Sequence, residues 1–441
     1  MSEAIRVYPC NPVRGSIRPP GSKSLTNRAL ICAALAAGES DLTGVLDSED
    51  TQVMVEAWRS LGVDVQGDIA SGRLTVRGCN GELPKRDSGA TTIFIGNSGT
   101  SIRFLTAALA ACHGEFVLDG VPRMRERPIL DLLTALNSLG ADSRSLNADR
   151  PNCPPVSVRG RGLAGGTAAV AGNISSQYLS GLMMAAPMAS GPVQIEVVGE
   201  LVSVPYVEMT ARVMESFGAE VTGKPTGPIE IAPTRYRGAA YDIEPDASAA
   251  SYFWAAAAVT EGDVTVEGLS RTSLQGDVRF VDVLEQMGCT VETSASSIRV
   301  IGGPLRGVDV DMSDISDTVQ TLAAVALFAE GPTRVRGVAH NRHKETDRIG
   351  DLAVELRKLG AEVETFEDGL EIRPQSAMHG ALLDTYRDHR MAMSFAVIAL
   401  RQPDLCIADP ACTAKTYPGY WDDLARLTHC RMERVIASVA D

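Results

Sequence analysis

The nine cysteines of this 441-residue chain contain no Cys-x-x-Cys pair. They are odd in number, scattered from Cys10 to Cys430, and several sit within apolar helical runs. Neither a disulfide framework nor a zinc site is written this way, so free thiols in a reducing compartment are expected. The opening "MSEAIRVYPC" lacks the basic and apolar regions of a signal peptide. No apolar run approaches the roughly 18 residues that a membrane span needs; "ASAASYFWAAAAV" is among the longest. A cytoplasmic protein is therefore expected. Positive charge is in deficit, with 41 Lys and Arg against 55 Asp and Glu and a formal net charge of −14. A general affinity for nucleic acid or anionic membrane is disfavoured, and any anionic ligand must be held by local cations against the field of the whole molecule. In "PPGSKSLTNRALICAALAAGES", Ser22 stands before Lys23 where a nucleotide-binding P-loop needs Gly, which excludes that reading.

What the chain has is repetition. "SLGVDV" around Leu61 returns as "SLGADS" at Leu139, "SFGAEV" at Phe217, "QMGCTV" at Met287 and "KLGAEV" at Leu359, with a faded sixth copy, "RLTHCRMERV", near Leu427. The copies lie about 70 to 78 residues apart, too far for a solenoid but regular enough to mean repetition. Each closes an amphipathic stretch, and the Gly reads as the residue that ends a helix before a strand. A second series runs in step: "SKSLTNRALICAALAAG", "NSGTSIRFLTAALAAC", "SSQYLSGLMMAAPMASG", "DASAASYFWAAAAVTEG", "SDTVQTLAAVALFAEG" and "DHRMAMSFAVIAL". These helices are apolar nearly all round and so are expected to be buried. Six units in two groups of three predict two similar α/β domains, with a crossover in "APTRYRGAAYDIEPDAS" near residue 240.

The heads of the buried helices carry unexpected chemistry. A buried helix should open on a neutral cap. Here the first head has Lys23, Ser24 and Arg28, the last two on one face. The second has Asn97, Gly99, Thr100 and Arg103, the third Ser175, Ser176 and Gln177, the fifth Asp317, and the sixth His389 and Arg390. Further cations stand in "PRMRERP" (Arg123, Arg125, Arg127), in "HNRHKETDRI" (Arg342, Lys344, Arg348, around Glu345) and in "CTAKTYPGY" (Lys415). Helix N-termini attract anions, and several aimed at one place would make a strong anion site. Singly, Ser175 and Asp317 can be ordinary caps, Thr346 and Asp347 can cap the helix that follows, and an arginine of "PRMRERP" can be a solvated charge. His340 and His343 are three apart with no third metal ligand near.

Together, "PGSKSLTNRALICAALA", "GNSGTSIRFL", "PRMRERPI", "SSQYLSGLMMAAP", "DASAASYF", "KETDRI", "DHRMAM" and "CTAKTYP" resemble the 5-enolpyruvylshikimate-3-phosphate synthase family, from about Pro19 to Pro418. The resemblance implies two inside-out α/β domains, each of three repeated βαβαββ-type units with buried helices, closing on an interdomain cleft. Residues 21–243 would form the first domain and 1–20 with 244–441 the second. It implies transfer of the enolpyruvyl group of phosphoenolpyruvate to the 5-hydroxyl of shikimate 3-phosphate, with release of phosphate, in the shikimate pathway to aromatic amino acids. No cofactor or metal is implied, and a monomer with small anionic substrates is expected.

Residue by residue, the resemblance gives the shikimate carboxylate to Ser24 and Arg28. It gives the phosphate of that substrate to Ser175, Ser176, Ser203 and Lys344, with Gln177 beside it, Tyr206 beneath the ring and Asp317 at the hydroxyl. Phosphoenolpyruvate would meet Arg127, Gln177, Lys415, Asn97 and the Gly99 backbone at its phosphate, and Arg348 and Arg390 at its carboxylate, where guanidinium forks suit bidentate pairing. Lys23 would lie between the substrates. Asp317 would be the base, assisted by Lys23, and Glu345 the group that moves a proton at the methylene carbon. Gly99 would leave room for glyphosate. Two positions differ from the pattern. His340-Asn341-Arg342 stands where Asn-Trp-Arg is frequent, and Phe104 where Pro is, so that helix head is expected to sit differently. Two other readings also account for the cations. A UDP-N-acetylglucosamine 1-carboxyvinyltransferase would need a reactive Cys in "VPRMRERP", which has none, and a non-catalytic anion-binding protein would have no use for Asp317 and Glu345.

Overall fold

A computed structural model of the protein describes residues 2–84, 89–172, 175–224, 227–375 and 377–437. Among these, α-helices of two kinds alternate. The odd-numbered ones are α1 (Lys23–Leu35), α3 (Gly99–Ala111), α5 (Ser176–Ala185), α7 (Ala247–Thr260), α9 (Val319–Ala326) and α11 (His389–Ala399). They are buried on nearly every side, as their Ala-rich, all-round apolar sequences require. The even-numbered ones, α2 (Glu49–Ser60), α4 (Leu130–Ser138), α6 (Val204–Ser216), α8 (Phe280–Met287), α10 (Gly350–Lys358) and α12 (Tyr420–Thr428), bury one face each. In α8 that face is Phe280, Val281, Val283, Leu284 and Met287.

The residue that follows the last turn of the even helices takes positive φ. It is Gly62, Gly140, Gly218, Gly288 and Gly360 in five repeats, and His429 (φ 53°) in the sixth. Only the left-handed region lets the chain turn from helix end to strand in this way, which is why glycine recurs there.

Each repeat builds one four-stranded sheet, and among the described residues all six have one wiring. In the second repeat, Thr91–Phe94 runs parallel to His113–Asp119, which pairs antiparallel with Val156–Arg161, itself antiparallel to Asp142–Ser145. The chain order there is βαβαββ. Three strands come from elsewhere in the sequence. Ala240–Asp242 supplies the parallel edge of the first repeat beside Glu39–Thr43. Arg14–Ile17 does the same for the fourth repeat beside Asp263–Glu267. Ser2–Val7 lies between Cys406–Ala408 and Met432–Ala437 in the sixth.

The chain accordingly divides into two compact units, residues 21–244 and residues 1–20 with 245–441. In the first, α1, α3 and α5 pack on one another inside a shell of three sheets; in the second, α7, α9 and α11 do so. The core of the second unit is one continuous cluster in which Ile5, Val7, Val13 and Ile17 join Phe253, Trp254, Phe395 and Tyr420. At the start of the first unit, Gly21 is required by contact: a β-carbon there would lie 1.7 Å from the Gly44 carbonyl oxygen. No helix among the described residues is long and apolar enough to cross a membrane.

Candidate functional site

In the unit of residues 21–244, Ser22 caps α1 and Lys23 opens it, with Nζ 3.4 Å from Asp50 Oδ2. One turn on, Arg28 is 2% exposed. Its Nε donates to Thr210 Oγ1 at 2.7 Å, and its terminal nitrogens donate to the Ser24 carbonyl (3.0 Å), Ser180 Oγ (3.2 Å) and the Tyr206 carbonyl (3.3 Å). The guanidinium carbon lies 5.1 Å from the centre of the Phe104 ring and 5.9 Å from that of Tyr206. Burial pushes its pKa down to about 10, so the charge persists at neutral pH. These hydroxyl, carbonyl and ring partners are all neutral. A buried cation held only by dipoles gains from an arriving carboxylate, because bringing two ions together offsets the cost of desolvating one. Ser203 stands beside this group as the residue before α6, buried and in the left-handed region (φ 57°), and its carbonyl accepts from the Tyr206 amide.

The second and third helix heads of the same unit meet. Ser98 caps α3, and Gly99 is its first residue. A β-carbon on Gly99 would fall 2.4 Å from an Arg127 terminal nitrogen, and Arg127 also donates to the Asn97 carbonyl at 3.3 Å. Ser175 caps α5 by accepting from the Gln177 amide, and Ser176 is buried behind it. Gln177 then accepts from Arg103 and donates to Thr100 Oγ1 at 3.3 Å. Asn97, Gly99, Arg127 and Gln177 thus share one neighbourhood, with Arg103 stacked 5.1 Å from the Tyr178 ring centre. The other arginines of "PRMRERP" go elsewhere: Arg125 bonds Asp119 and Arg123 bonds Glu126, both on the surface. Ser175 thus serves as a cap at the head of α5, and Arg123 and Arg125 are ion-paired surface charges.

In the other unit, the predicted residues collect around Arg348, again 2% exposed. Its Nε and one terminal nitrogen hold Asp388 at 2.7 and 3.2 Å. It also reaches Asp317 Oδ1 at 3.2 Å and Glu345 Oε2 at 2.8 Å. Arg390 donates to Asp317 Oδ2 at 2.7 Å, and Lys344 Nζ lies 3.7 Å from Asp317 Oδ1. Lys415 Nζ lies 3.8 Å from Glu345 Oε1. Burial opposes the charge on both Arg348 and Lys344. For Arg348 the carboxylates of Asp388, Glu345 and Asp317 outweigh it and raise the pKa; for Lys344 burial prevails and lowers it.

Asp317 is not the cap of α9. It sits on the preceding turn, Ser313–Thr318, whose helical geometry breaks at Ile315, and it points its carboxylate at three cations. Asp347 is the capping residue of its own segment, accepting from the Ile349 and Gly350 amides at 3.1 and 3.0 Å. Arg342 is taken up by Asp347 at 2.9 Å. Among the described residues no group of three His, Cys, Asp or Glu is placed to hold a metal ion.

Sequence reasoning missed Asp50, Asp388, Thr210 and Ser180. Asp388 had a signal, since it directly precedes His389-Arg390 and caps α11 with the same carboxylate that holds Arg348. Asp50 had none, lying in an ordinary acidic first turn of α2.

Each unit thus presents buried guanidinium groups and an ammonium group, and the second sets three carboxylates, those of Asp317, Glu345 and Asp388, among its cations. Such an arrangement binds doubly charged oxyanions and moves protons beside them. The comparisons with known proteins agree with this chemistry. The family model described as EPSP synthase (3-phosphoshikimate 1-carboxyvinyltransferase) matches residues 7–424. The chain is 47% identical to the chloroplastic 3-phosphoshikimate 1-carboxyvinyltransferase of Arabidopsis thaliana, over 96% of this chain and 84% of that protein. It is 44% identical to the 3-phosphoshikimate 1-carboxyvinyltransferase of Vibrio atlanticus, over 97% of this chain and 100% of that one. A solved EPSP synthase from Acinetobacter baumannii superposes with a TM-score of 0.82 at 27% identity, covering 98% of this chain and 100% of its own. With the family model spanning nearly the whole chain and relatives this similar along it, the chain belongs to the EPSP synthase family, the 3-phosphoshikimate 1-carboxyvinyltransferases.

Proposed function

We propose that the chain transfers the enolpyruvyl group of phosphoenolpyruvate to the 5-hydroxyl of shikimate 3-phosphate, releasing phosphate, and that the two clusters above divide the work. The observation that carries this is the crowding of Arg348, Arg390 and Lys344 on Asp317, with Glu345 between Arg348 and Lys415. Arg28 and Ser24 hold the shikimate carboxylate. Ser175, Ser176, Ser203 and Lys344 hold its phosphate, and Tyr206 lies beneath the ring. Arg348 and Arg390 hold the carboxylate of phosphoenolpyruvate, while Arg127, Gln177, Lys415, Asn97 and the Gly99 amide hold its phosphate.

In the addition step, Asp317, assisted by Lys23, takes the 5-hydroxyl proton as that oxygen bonds to C2 of phosphoenolpyruvate. Glu345 gives a proton to C3, which becomes a methyl group. In the elimination step a methyl proton returns to Glu345, the C2–C3 double bond reforms, and the C2–O bond to phosphate breaks. The lack of a side chain at Gly99, which lets the Arg127 guanidinium lie against its backbone, makes the enzyme sensitive to glyphosate, and a single chain suffices; undiminished activity in millimolar glyphosate, or a dimer by light scattering, contradicts these two statements.

The test is phosphate release from phosphoenolpyruvate with shikimate 3-phosphate, and separately with UDP-N-acetylglucosamine as acceptor. Release is expected with the first only. Asp317→Asn and Glu345→Gln each lower kcat by about 100-fold or more, with substrate dissociation constants changed far less. Equal loss of binding and turnover would leave only an anion-binding role.

A further inference from the structure

Asp317 must hold its carboxylate at the reacting hydroxyl, yet the backbone that carries it is irregular. The turn Ser313–Thr318 contains a non-helical residue, Ile315 (φ −127°, ψ 35°), two positions before Asp317. The three cations around Asp317 cannot alone fix it, since on the reading above two of them also serve the carboxylate of phosphoenolpyruvate and the third the phosphate of shikimate 3-phosphate. Something else must keep the turn in place when those pairings change.

The turn Ala339–His343 does this at one residue, Ser316, which is buried immediately before Asp317. His340 Nε2 lies 2.9 Å from Ser316 Oγ, and Asn341 Nδ2 donates to the Ser316 carbonyl at 2.9 Å. Ser316 is therefore gripped by side chain and backbone from a segment 24 and 25 residues away. The same turn also reaches Arg348, whose amide donates to the Asn341 carbonyl at 3.2 Å. We infer that His340 is a positioning residue: through Ser316 it fixes the turn that carries Asp317, and so sets the catalytic base relative to Arg348. This rests on the assignment of Asp317 as base.

The chemistry suits the task. His340 is buried, and burial, with Lys344 nearby, holds its pKa down at about 3. The ring is therefore neutral at neutral pH, so its bond to a neutral hydroxyl persists while charges around it shift. A charged residue here would add to the crowd of cations and compete for Asp317.

The experiment compares His340→Ala, His340→Gln and Ser316→Ala in steady-state kinetics and in hydrogen–deuterium exchange of the 313–318 segment. Misplacing a reacting group by a fraction of an ångström costs about 10-fold. His340→Ala is expected to lower kcat by about 10-fold, to leave both KM values within about 2-fold, and to speed exchange of 313–318. The Gln amide nitrogen can reach where Nε2 stands, so His340→Gln recovers most of the lost kcat and exchange protection. The double variant His340→Ala with Ser316→Ala is no slower than the worse single variant, as members of one linkage are not additive.

A raised KM for shikimate 3-phosphate at unchanged kcat would overturn the proposal in favour of a substrate contact. Gln performing no better than Ala would overturn it too, as would multiplicative losses in the double variant. The readouts separate the two layers of the argument. Unchanged exchange in His340→Ala removes the grip itself. Faster exchange with undiminished turnover overturns the positioning role, while Asp317→Asn tests the base assignment separately. If His340→Ala fails to fold, His340→Gln against Ser316→Ala gives the same comparison.

Discussion

Arg348 and Asp388 face each other through two hydrogen bonds, Nε to Oδ2 at 2.7 Å and a terminal nitrogen to Oδ1 at 3.2 Å, at 2% and 0% exposure. The same Oδ1 accepts from the Arg390 amide at 2.9 Å, so one carboxylate orients the Arg348 guanidinium and fixes the backbone from which Arg390 projects. Removing one partner of a buried pair leaves the other charge uncompensated. Asp388→Ala is expected to lower unfolding free energy by roughly 3 kcal/mol, and Asp388→Asn to raise KM for phosphoenolpyruvate by about 10-fold. Denaturant unfolding and initial rates check both. An unchanged midpoint would mean that Asp317 and Glu345 suffice for Arg348.

Gly99 is fixed by Arg127. A β-carbon would sit 2.4 to 2.8 Å from the three guanidinium atoms, so Gly99→Ala forces that group to move while the fold remains. The expected result is a rise in KM for phosphoenolpyruvate of about 10-fold with KM for shikimate 3-phosphate nearly unchanged. Equal shifts in both would show that the arginine tip relocates at no cost.

Arg28 is expected to tolerate no conservative exchange. Lysine keeps a charge but cannot bond Thr210, Ser180 and the Tyr206 carbonyl together while lying over Phe104. Arg28→Lys should raise the dissociation constant for shikimate 3-phosphate by roughly 10- to 100-fold, the worth of one or two charge-assisted hydrogen bonds. Isothermal titration with shikimate 3-phosphate alone measures this, and near-native affinity would place the carboxylate elsewhere.

Stability should fall as pH rises from about 4 to 6. Asp277 is buried against Ser248, and burial, then Asp317, push its pKa from 3.8 up to about 6; Arg390 acts against this and Asp246 with it. The native state therefore holds a proton that the unfolded chain has lost in this window, and the stabilisation is complete below the unfolded value and gone above the folded one. The swing is roughly 2 to 3 kcal/mol. Asp277→Asn should flatten the slope between pH 4 and 6 and raise Tm at pH 7, as calorimetry across that range would show. An unaltered slope would assign the effect to another group.

The repeat was legible because it rests on local physics. Apolar residues all round a helix imply burial, and a left-handed residue at a helix end favours glycine, so two periodic signals appear in one dimension. The sixth copy faded for a reason now visible: His429 takes the glycine conformation without being glycine. The cations were legible because charge at the head of a buried helix has no structural purpose. Their counter-charges were not. Asp50 and Asp388 look like ordinary first-turn and capping acids, and only the fold brings one to Lys23 and the other to Arg348. Phe104 likewise read as an irregularity. It proves to be buried beneath Arg28, on a helix that Ser98 caps in the usual way.

The strands Ser2–Val7 and Arg14–Ile17 belong to sheets whose other members begin at Asp263 and end at Ala437. This sets an order of events during synthesis. Residues 21–244 contain three complete sheets and can fold while the ribosome is still translating the remainder. Both strands are made before residues 21–244 but must wait, as unsatisfied strand edges, Arg14–Ile17 for Asp263–Glu267 and Ser2–Val7 for Cys406–Ala408 and Met432–Ala437. Segments on either side of residues 21–244 therefore mature together, and a substitution within residues 2–17 acts on the unit that is completed later.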